Sequence, residues 1–392
     1  MNAADAPQRG RHFVLAMALL GALAPTAFFG LPLLVALSAQ QWGFGDSQLG
    51  IAVFMEIGGN AVGALAIAFL LFRWPVRRVL TLGILLAVAA NAATSQVQGI
   101  QMYCGVRLLA GIAAGMLSGI AMRYLSFTDN PDRDFGYLVV AQTLWSMLLL
   151  GWLIPSVGGH WQAGGAYLFV ALVVLPFFSR RSDFAPGEPL TPPATAEGSV
   201  NRRGAYTALV TLFAMYVGVG VMWTFVDQIG QRAGYSADFT SNVLAGANLA
   251  AALPCLLLPR LTATSGPYRW CLAMLAGCAV AAAMMALPTT PALFIASVVL
   301  FVATWAGAAM LIFATVPQYD TAGRHAALSP GFLGVGYGVG SVAAGQLLEQ
   351  GLLQGAIALA SLACVVAMFI YSSLRRVPPL ERQVPSASGI GT

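Results

Sequence analysis

Residues 102–122 read MYCGVRLLAGIAAGMLSGIAM and are long enough to cross a lipid bilayer, because about 20 apolar residues span the roughly 30 Å hydrocarbon core. One full charge, Arg107, lies inside this stretch. A charged side chain costs about 2.5 kcal/mol or more at the middle of a bilayer, so it normally faces a bundle interior or a wet cavity. Gly111 and Gly115, four residues apart, let a second helix approach closely. Arg107 is therefore either a structural residue bound to backbone carbonyls or a residue beside a route for substrate or protons.

The composition is that of a membrane protein. Of 392 residues, 58% are hydrophobic and 8% are charged, whereas a soluble globular chain carries about 25% charged residues. The predicted fold class is an all-α polytopic membrane protein. Its net charge of +5 follows from the topology of its arginines, so no nucleic-acid partner is expected.

Twelve hydrophobic runs are long enough to span the membrane. They lie near residues 12–38, 47–71, 78–97, 100–123, 135–157, 163–179, 204–230, 239–260, 267–288, 291–316, 326–348 and 352–374. The first run follows Arg9 and Arg11. It is too long for the 7–15-residue core of a signal peptide, so we expect it to remain as the first spanning helix.

The twelve runs divide six and six around a polar segment. We predict two pseudo-symmetric six-helix bundles, residues 1–179 and 204–376. The segment 180–203 is rich in Pro, Glu, Ser and Thr and is bounded by arginine pairs, which predicts a flexible cytoplasmic linker. Residues 377–392 are polar and are predicted to be a disordered tail.

The arginines predict the orientation. With a cytoplasmic N-terminus, 17 of the 19 arginines lie on the cytoplasmic side, as the positive-inside rule requires. Only Arg232 lies outside and only Arg107 lies within a helix. We therefore expect a multi-pass protein of a bacterial inner (plasma) membrane, in contact with membrane lipid, with both termini in the cytoplasm.

The two halves resemble each other. Gly43-Phe44 precedes the second run as Gly234-Tyr235 precedes the eighth. Ten residues separate Asp46 from Glu56, and ten separate Asp238 from Asn248. Parallel six-helix repeats are typical of one class of secondary transporters.

These features resemble the major facilitator superfamily over essentially the whole chain. Residues 107–115, RLLAGIAAG, are similar to the family's R-x-x-x-G signature in helix four. Residues 155–159, PSVGG, resemble the end of the antiporter motif of helix five, with Ile154 where that motif has glycine. The loop 73–78, RWPVRR, keeps basic residues, but Phe72 or a neighbour stands where the family has aspartate. The resemblance implies a solute transporter with twelve transmembrane helices.

Glu56 and Arg107 are predicted to pair. Glu56 lies about nine residues into the second run and Arg107 about eight into the fourth, so both are roughly 12–14 Å deep at 1.5 Å per residue. Charged groups within a membrane seek such partners. A nearby arginine favours the ionised carboxylate, whereas a drier environment favours the neutral acid. Alternating access could therefore let Glu56 load and release a proton; the alternative is a permanent ion pair that only fixes helix packing.

Asp227 is the third charged residue within the runs. Tyr216, Gly220, Trp223 and Asp227 lie on one helical face, which is unusual for lipid contact. The resemblance implies that this seventh helix lines the central cavity, so the face is a candidate for substrate or proton binding. The alternative is that Asp227 belongs to the outer mouth and pairs with Arg232.

Further substrate-binding candidates are polar or aromatic residues within the runs. Each is alternatively a packing residue or part of an interfacial aromatic belt. They are Asn60, Gln142, Trp145, Tyr216, Trp223, Asn248, Trp305 and Tyr337.

The sequence also excludes several functions. It has no GxxxxGK[ST] loop, which argues against an ATP-driven pump, and its three histidines are too dispersed for a metal site. No nucleophile–base arrangement predicts an enzyme, and no cofactor is expected. The predicted function is secondary active transport of a small organic solute, coupled to protons as symport or antiport, by a monomer. The alternative is a protein of this fold with a non-transport role, such as a receptor or assembly factor.

Overall fold

The computed structural model describes residues 11–70, 73–125, 128, 131–184, 187, 199–287, 290–320, 325, 328–378 and 380. Its α-helices are, in chain order, α1 (Arg11–Leu23), α2 (Thr26–Phe29), α3 (Leu31–Trp42), α4 (Asp46–Leu65), α5 (Val76–Thr94), α6 (Ile100–Leu125), α7 (Pro131–Leu148), α8 (Ile154–Val173), α9 (Arg202–Arg232), α10 (Ala237–Ala250), α11 (Ala252–Ser265), α12 (Pro267–Met284), α13 (Pro291–Tyr319), α14 (Ser329–Glu349) and α15 (Leu353–Ser372). Turns of π-helix extend α4 over Ala66–Leu70 and join α7 to α8 over Leu149–Leu153. Short 3₁₀ helices cover Leu175–Asp183 and Ser373–Arg376.

Among the described residues, ten helical stretches are long and apolar enough to cross a membrane. This confirms an all-helical membrane protein. One stretch, Gly136–Asp183, has 48 residues, which at 1.5 Å per residue is about twice the length that a bilayer needs. Its backbone leaves the helical region at Gln162, where φ is 54° and ψ is −161°, between the predicted fifth and sixth spans.

The first predicted span is not one helix. It is divided into α1, α2 and α3, with breaks at Pro25 and Gly30. Proline lacks the N–H of a helical hydrogen bond, so it favours such a break. The eighth predicted span is similarly divided at Ala251, three residues before Pro254. The predicted number of twelve spans stays a prediction.

The two ends of the helix assembly are named here by their residues. The linker face is the end at which α9 begins at Arg202, and the Asp46 face is the end at which α4 begins. Arg232, the last residue of α9, binds Asp46, so both lie on the Asp46 face. The sequence predicts that the linker face is cytoplasmic.

Helices α4 and α6 touch backbone to backbone through glycine. A Cβ atom added at Gly111 would lie 1.9 Å from the carbonyl oxygen of Glu56, and one added at Gly115 would lie 2.0 Å from that of Asn60. Only glycine permits this separation, as expected for small residues in membrane helix interfaces. The contact fixes the relative height of Glu56 and Arg107.

Helices of the two predicted halves also pack together. Helix α14 runs antiparallel to α4, and the Ser341 hydroxyl donates a hydrogen bond to the Gly50 carbonyl at 3.1 Å. The largest buried core contains residues from both halves, among them Leu31, Leu49 and Tyr337. The division into two bundles at 1–179 and 204–376 stays a prediction.

Most of the predicted linker and tail lies outside the described residues, which omit 185–186, 188–198 and 381–392. Around these gaps, Val200 forms an antiparallel bridge with Asp320. The Asn201 amide donates to the Tyr319 carbonyl at 2.9 Å. The start of α9 is thereby attached to the end of α13.

Candidate functional site

Arg107 is buried among hydrogen-bond acceptors from two neighbouring helices. It is 1% exposed, and its Nη1 lies 3.2 Å from Glu56 Oε1. Its Nη2 donates to Asn91 Oδ1 at 2.9 Å and to Thr94 Oγ1 at 2.7 Å. The structure thus brings Glu56 and Arg107 into contact, as their equal depth predicts. The partners are side chains, so the alternative of an arginine held by backbone carbonyls is not what is observed.

Three helices position these groups. Helix α6 carries Arg107, α4 carries Glu56, and α5 presents Asn91 and Thr94 three residues apart on one face. The side chains of Asn91 and Thr94 also donate to carbonyls one turn earlier in α5, which turns their oxygens toward the guanidinium.

An aromatic chain completes the site on its other side. The Arg107 guanidinium lies over the Tyr167 ring, 4.3 Å from its centroid, and such cation–π contacts are strongest when desolvated. The Tyr167 hydroxyl is 2.7 Å from that of Tyr103, which is 3.0 Å from the Ser38 hydroxyl. This polar chain links α3, α6 and α8 across the N-terminal half.

Glu56 lies beside a small cavity. The cavity is lined by residues of the N-terminal half, including Phe28, Glu56, Asn60 and Asn91. The space open to the centre of a water molecule is about 20 Å³, enough for one water. Within the described residues, the hydrogen-bond partner of the Glu56 carboxylate is Arg107. Glu56 therefore has a charged partner and also lines a space that can hold one water molecule.

Three of the predicted aromatic candidates, Tyr216, Trp223 and Trp305, form a cluster in the C-terminal half. Trp223 and Trp305 have ring centroids 5.6 Å apart, and Tyr216 meets Trp305 edge-on at 6.2 Å. The hydroxyl of Tyr337, which is fully buried, accepts a hydrogen bond from Thr224 at 3.2 Å.

Phe28 connects this aromatic cluster to the cavity beside Glu56. Its ring meets that of Tyr337 at 5.6 Å. Its carbonyl accepts a hydrogen bond from Trp223 Nε1 at 3.4 Å, and its side chain lines the cavity. The ionic site and the aromatic cluster are therefore separated by a single residue.

Asp227 is buried, but it does not pair with Arg232. Its carboxylate accepts hydrogen bonds from Gln231 at 2.8 Å and from the Thr240 hydroxyl. Arg232 binds Asp46 instead. The alternative that Asp227 and Arg232 form an ion pair is therefore wrong, and Asp227 joins α9 to α10 through neutral groups.

Three of the other predicted residues lie apart from the Arg107 site, and Asn60 lies beside it. Gln142 donates weakly to the Gly21 carbonyl at 3.4 Å, and Trp145 donates to the Thr26 hydroxyl at 3.0 Å. Both contacts join α7 to the first span. Asn248 donates to the Leu244 carbonyl of its own helix at 2.9 Å, so it does not reproduce the contacts of Glu56. Asn60 is half-buried and lines the Glu56 cavity.

Sequence reasoning missed the neutral half of the Arg107 site. Asn91 and Thr94 are polar residues three apart in a hydrophobic run, a signal that was available. Tyr103 lies four residues before Arg107, so it could be expected on the same helical face. Ser38, Tyr167 and Phe28 gave no comparable signal, because nothing in their local sequence separates them from packing residues.

The site surrounds the buried charge of Arg107 with one carboxylate and several neutral groups. Arg107 can keep its charge through Asn91, Thr94 and the Tyr167 ring whether or not Glu56 is ionised. The described residues contain no group of three or more potential metal ligands. Among the described residues of this site, the titratable pair is Glu56 and Arg107.

Comparison with known proteins gives the family and the fold. The family model described as Major Facilitator Superfamily matches residues 17–329. A solved structure of a point mutant of the nucleoside transporter NupG is 14% identical and aligns with a TM-score of 0.74 over 92% of this chain and 98% of that one. A second NupG structure, also 14% identical, aligns with a TM-score of 0.71 over 93% and 98%. At this identity the likeness concerns the fold alone. No curated protein gives a significant sequence match.

Proposed function

Since the chain belongs to the Major Facilitator Superfamily, we propose that it is a secondary transporter that couples proton movement to that of a small organic solute by alternating access. Glu56 is the proton-carrying group and Arg107 is its counter-ion. Movement of a solute against its gradient requires a coupled ion, and a carboxylate that changes its environment can couple a proton.

The proposal rests on a difference between the two members of the buried ion pair. Arg107 has several partners, whereas Glu56 has one among the described residues. Arg107 has three neutral neighbours besides Glu56, namely Asn91, Thr94 and Tyr167. Glu56 has Arg107 as its hydrogen-bond partner among the described residues, and it lines a water-sized cavity. Removal of one partner from a buried ion pair normally leaves an uncompensated charge at a cost of several kcal/mol. The neutral neighbours reduce that cost, so Glu56 can be neutralised while Arg107 stays in place.

Asp227 is proposed as a second carboxylate that takes part in coupling. It is 1% exposed, and within the described part of the chain its hydrogen-bond donors are the neutral Gln231 and Thr240. Within these residues, no ion pair has to be broken when this carboxylate takes up a proton. Protonation of Asp227 would loosen the contact between α9 and α10.

The solute is proposed to be small and partly aromatic. The cluster of Tyr216, Trp223 and Trp305, which Phe28 links to Tyr337, offers aromatic faces and few hydrogen-bonding groups, which suits a flat, moderately polar compound better than a polyhydroxylated sugar. Because the structurally similar protein NupG is named as a nucleoside transporter, nucleosides are the first solutes to assay.

The test is solute flux in liposomes that contain the purified protein and carry an imposed pH gradient. We expect labelled solute to move against its gradient, and a protonophore to abolish that movement. Solute moving with the protons indicates symport, and solute moving against them indicates antiport. Flux that responds to neither the pH gradient nor the protonophore contradicts proton coupling. If no small aromatic solute moves, the proposed substrate class is wrong.

Alternating access requires the Asp46 face to open and close. The ion pair between Asp46 and Arg232 joins the two halves at this face, so we expect it to favour the closed state. Such pairs between partly exposed groups contribute about 0.2–1 kcal/mol, so Asp46→Asn should increase opening by up to about fivefold. The measurement is the rate at which a membrane-impermeant maleimide labels Ser341→Cys, since Ser341 is fully buried against α4. Labelling of the parent protein gives the background from its own cysteines.

Asp238→Asn is the matched control for Asp46→Asn. Asp238 lies in the first turn of α10, as Asp46 does in α4, and is exposed. Equal labelling rates in the two variants would show that the Asp46–Arg232 pair does not hold this face closed.

A further inference from the structure

A large cavity opens on the linker face of the N-terminal half, away from the Glu56–Arg107 site. Its volume is about 640 Å³, within the range of pockets that hold small organic ligands. It lies where α5 begins and where the 3₁₀ helix after α8 ends. The residues that give it its character are Arg73, Trp74, Arg77, Arg78, Leu82 and Arg181.

The cavity carries a concentrated positive charge. Four arginines line it, and its described lining residues include no carboxylate. Asp183 is the acidic residue nearest to Arg181 in the sequence, and its ion pair, at 3.6 Å, is with Arg180. Arg77, Arg78 and Arg181 place three like charges around one space, and their mutual repulsion favours an anion there.

The chemistry of these side chains selects a phosphate. Each guanidinium presents a planar fork of donors that matches two phosphate oxygens, and arginine–phosphate pairs are often bidentate. Arg78 is exposed and Arg77 is half-buried in the first turn of α5, so their side chains can reach a ligand from one edge of the cavity. Arg181 packs over the Phe178 ring at 4.1 Å, which holds its guanidinium at another edge.

The apolar residues at the border of the cavity favour a ligand that has a hydrocarbon part as well as a charged group. Trp74 is 48% exposed and Leu82 is 49% exposed, although both lie beside four arginines. Tryptophan is typical of the boundary between headgroups and hydrocarbon, and leucine on the outer surface of a spanning helix contacts acyl chains. A ligand with a phosphate headgroup and a hydrocarbon tail satisfies both surfaces, whereas a free phosphate satisfies only the arginines.

We propose that this cavity is a binding site for the phosphate headgroup of an anionic glycerophospholipid. The headgroup lies among Arg77, Arg78 and Arg181, and the acyl chains pass Leu82. Basic pockets at the cytoplasmic ends of membrane helices suit such lipids because that leaflet carries anionic headgroups. The site joins the loop before α5 to the end of the 3₁₀ helix, so a bound lipid stabilises that end of the N-terminal half. It is independent of the proton-coupling proposal.

The experiment is native mass spectrometry of the purified full-length protein titrated with phosphatidylglycerol or phosphatidylcholine. We expect phosphatidylglycerol to bind at least tenfold more tightly. Arg77→Gln combined with Arg78→Gln should lower its affinity at least tenfold. Arg375→Gln combined with Arg376→Gln is the matched control, because it removes two exposed arginines next to the last helix, and its affinity should change less than twofold. Thermal melting of each variant establishes that it is folded, and Arg181→Gln replaces the double variant if that variant is not.

Three results would overturn the proposal. Equal loss of affinity in the two double variants would mean that only overall charge matters. Equal binding of the two lipids would mean that the headgroup charge is not recognised. Displacement of phosphatidylglycerol by an equimolar amount of inorganic phosphate would identify the ligand as a free anion rather than a lipid.

Discussion

Glu56→Gln should reduce proton-driven solute accumulation at least tenfold while solute counterflow continues. The amide cannot bind and release a proton in the working pH range, so transport can no longer be coupled to the proton gradient. Counterflow exchanges solute for solute and needs no net proton movement. The substituted amide keeps an oxygen that can accept the hydrogen bond from Arg107 Nη1, which lies 3.2 Å from Glu56 Oε1 in the parent protein, so we expect the variant to fold. The measurement compares accumulation under a pH gradient with counterflow in the same liposomes.

Glu349→Gln is the control for the loss of a carboxylate. Glu349 is the last residue of α14 and is exposed on the Asp46 face, where its carboxylate lies beside Gly45. Its neutralisation can change the opening of that face, but it should leave the dependence of accumulation on the pH gradient unchanged. If Glu56→Gln accumulates solute with the pH dependence of the parent protein, the proposed coupling role is wrong. The ion pair with Arg107 would then serve helix packing alone.

The contact between Glu56 and Arg107 could be predicted because charge is costly in a membrane. Two opposite charges at equal depth in hydrophobic runs have a strong reason to meet. Asn91 and Thr94 were not predicted, since a neutral polar side chain can satisfy itself within its own helix, as both of these also do. The local sequence therefore indicates which residues need partners better than it indicates which residues provide them.

The helical class was predictable from hydrophobicity, but the path of the chain was not. The hydrophobic runs place a break between residues 157 and 163, but they do not mark Gln162, whose positive φ is unusual for a residue other than glycine. The contact of α4 with α14 depends on Gly50 and Ser341, almost three hundred residues apart. Such pairings arise from the shapes of two distant surfaces, and hydrophobic periodicity in one sequence contains no information about which surfaces meet.

Gly111→Ala should be the most damaging small substitution in the ion-pair region. The added Cβ would lie 1.9 Å from the Glu56 carbonyl oxygen, whereas non-bonded carbon contacts are favourable at about 3.5–4.0 Å. The atoms in the way belong to the backbone of α4, so a rotamer change cannot relieve the overlap and the helices must separate. Overpacking of this kind costs about 1–3 kcal/mol, occasionally more. We expect a lower melting temperature and at least a tenfold loss of coupled transport.

Gly105→Ala separates this effect from the general consequences of replacing glycine. Gly105 lies in the same helix, is exposed, and has no atom within 4 Å of an added Cβ among the described residues. Alanine is favoured over glycine in a helix by about 0.5–1 kcal/mol, so this variant should melt at the same or a higher temperature. If both variants melt and transport alike, α4 and α6 tolerate a wider separation. The close backbone contact would then not be what aligns Arg107 with Glu56.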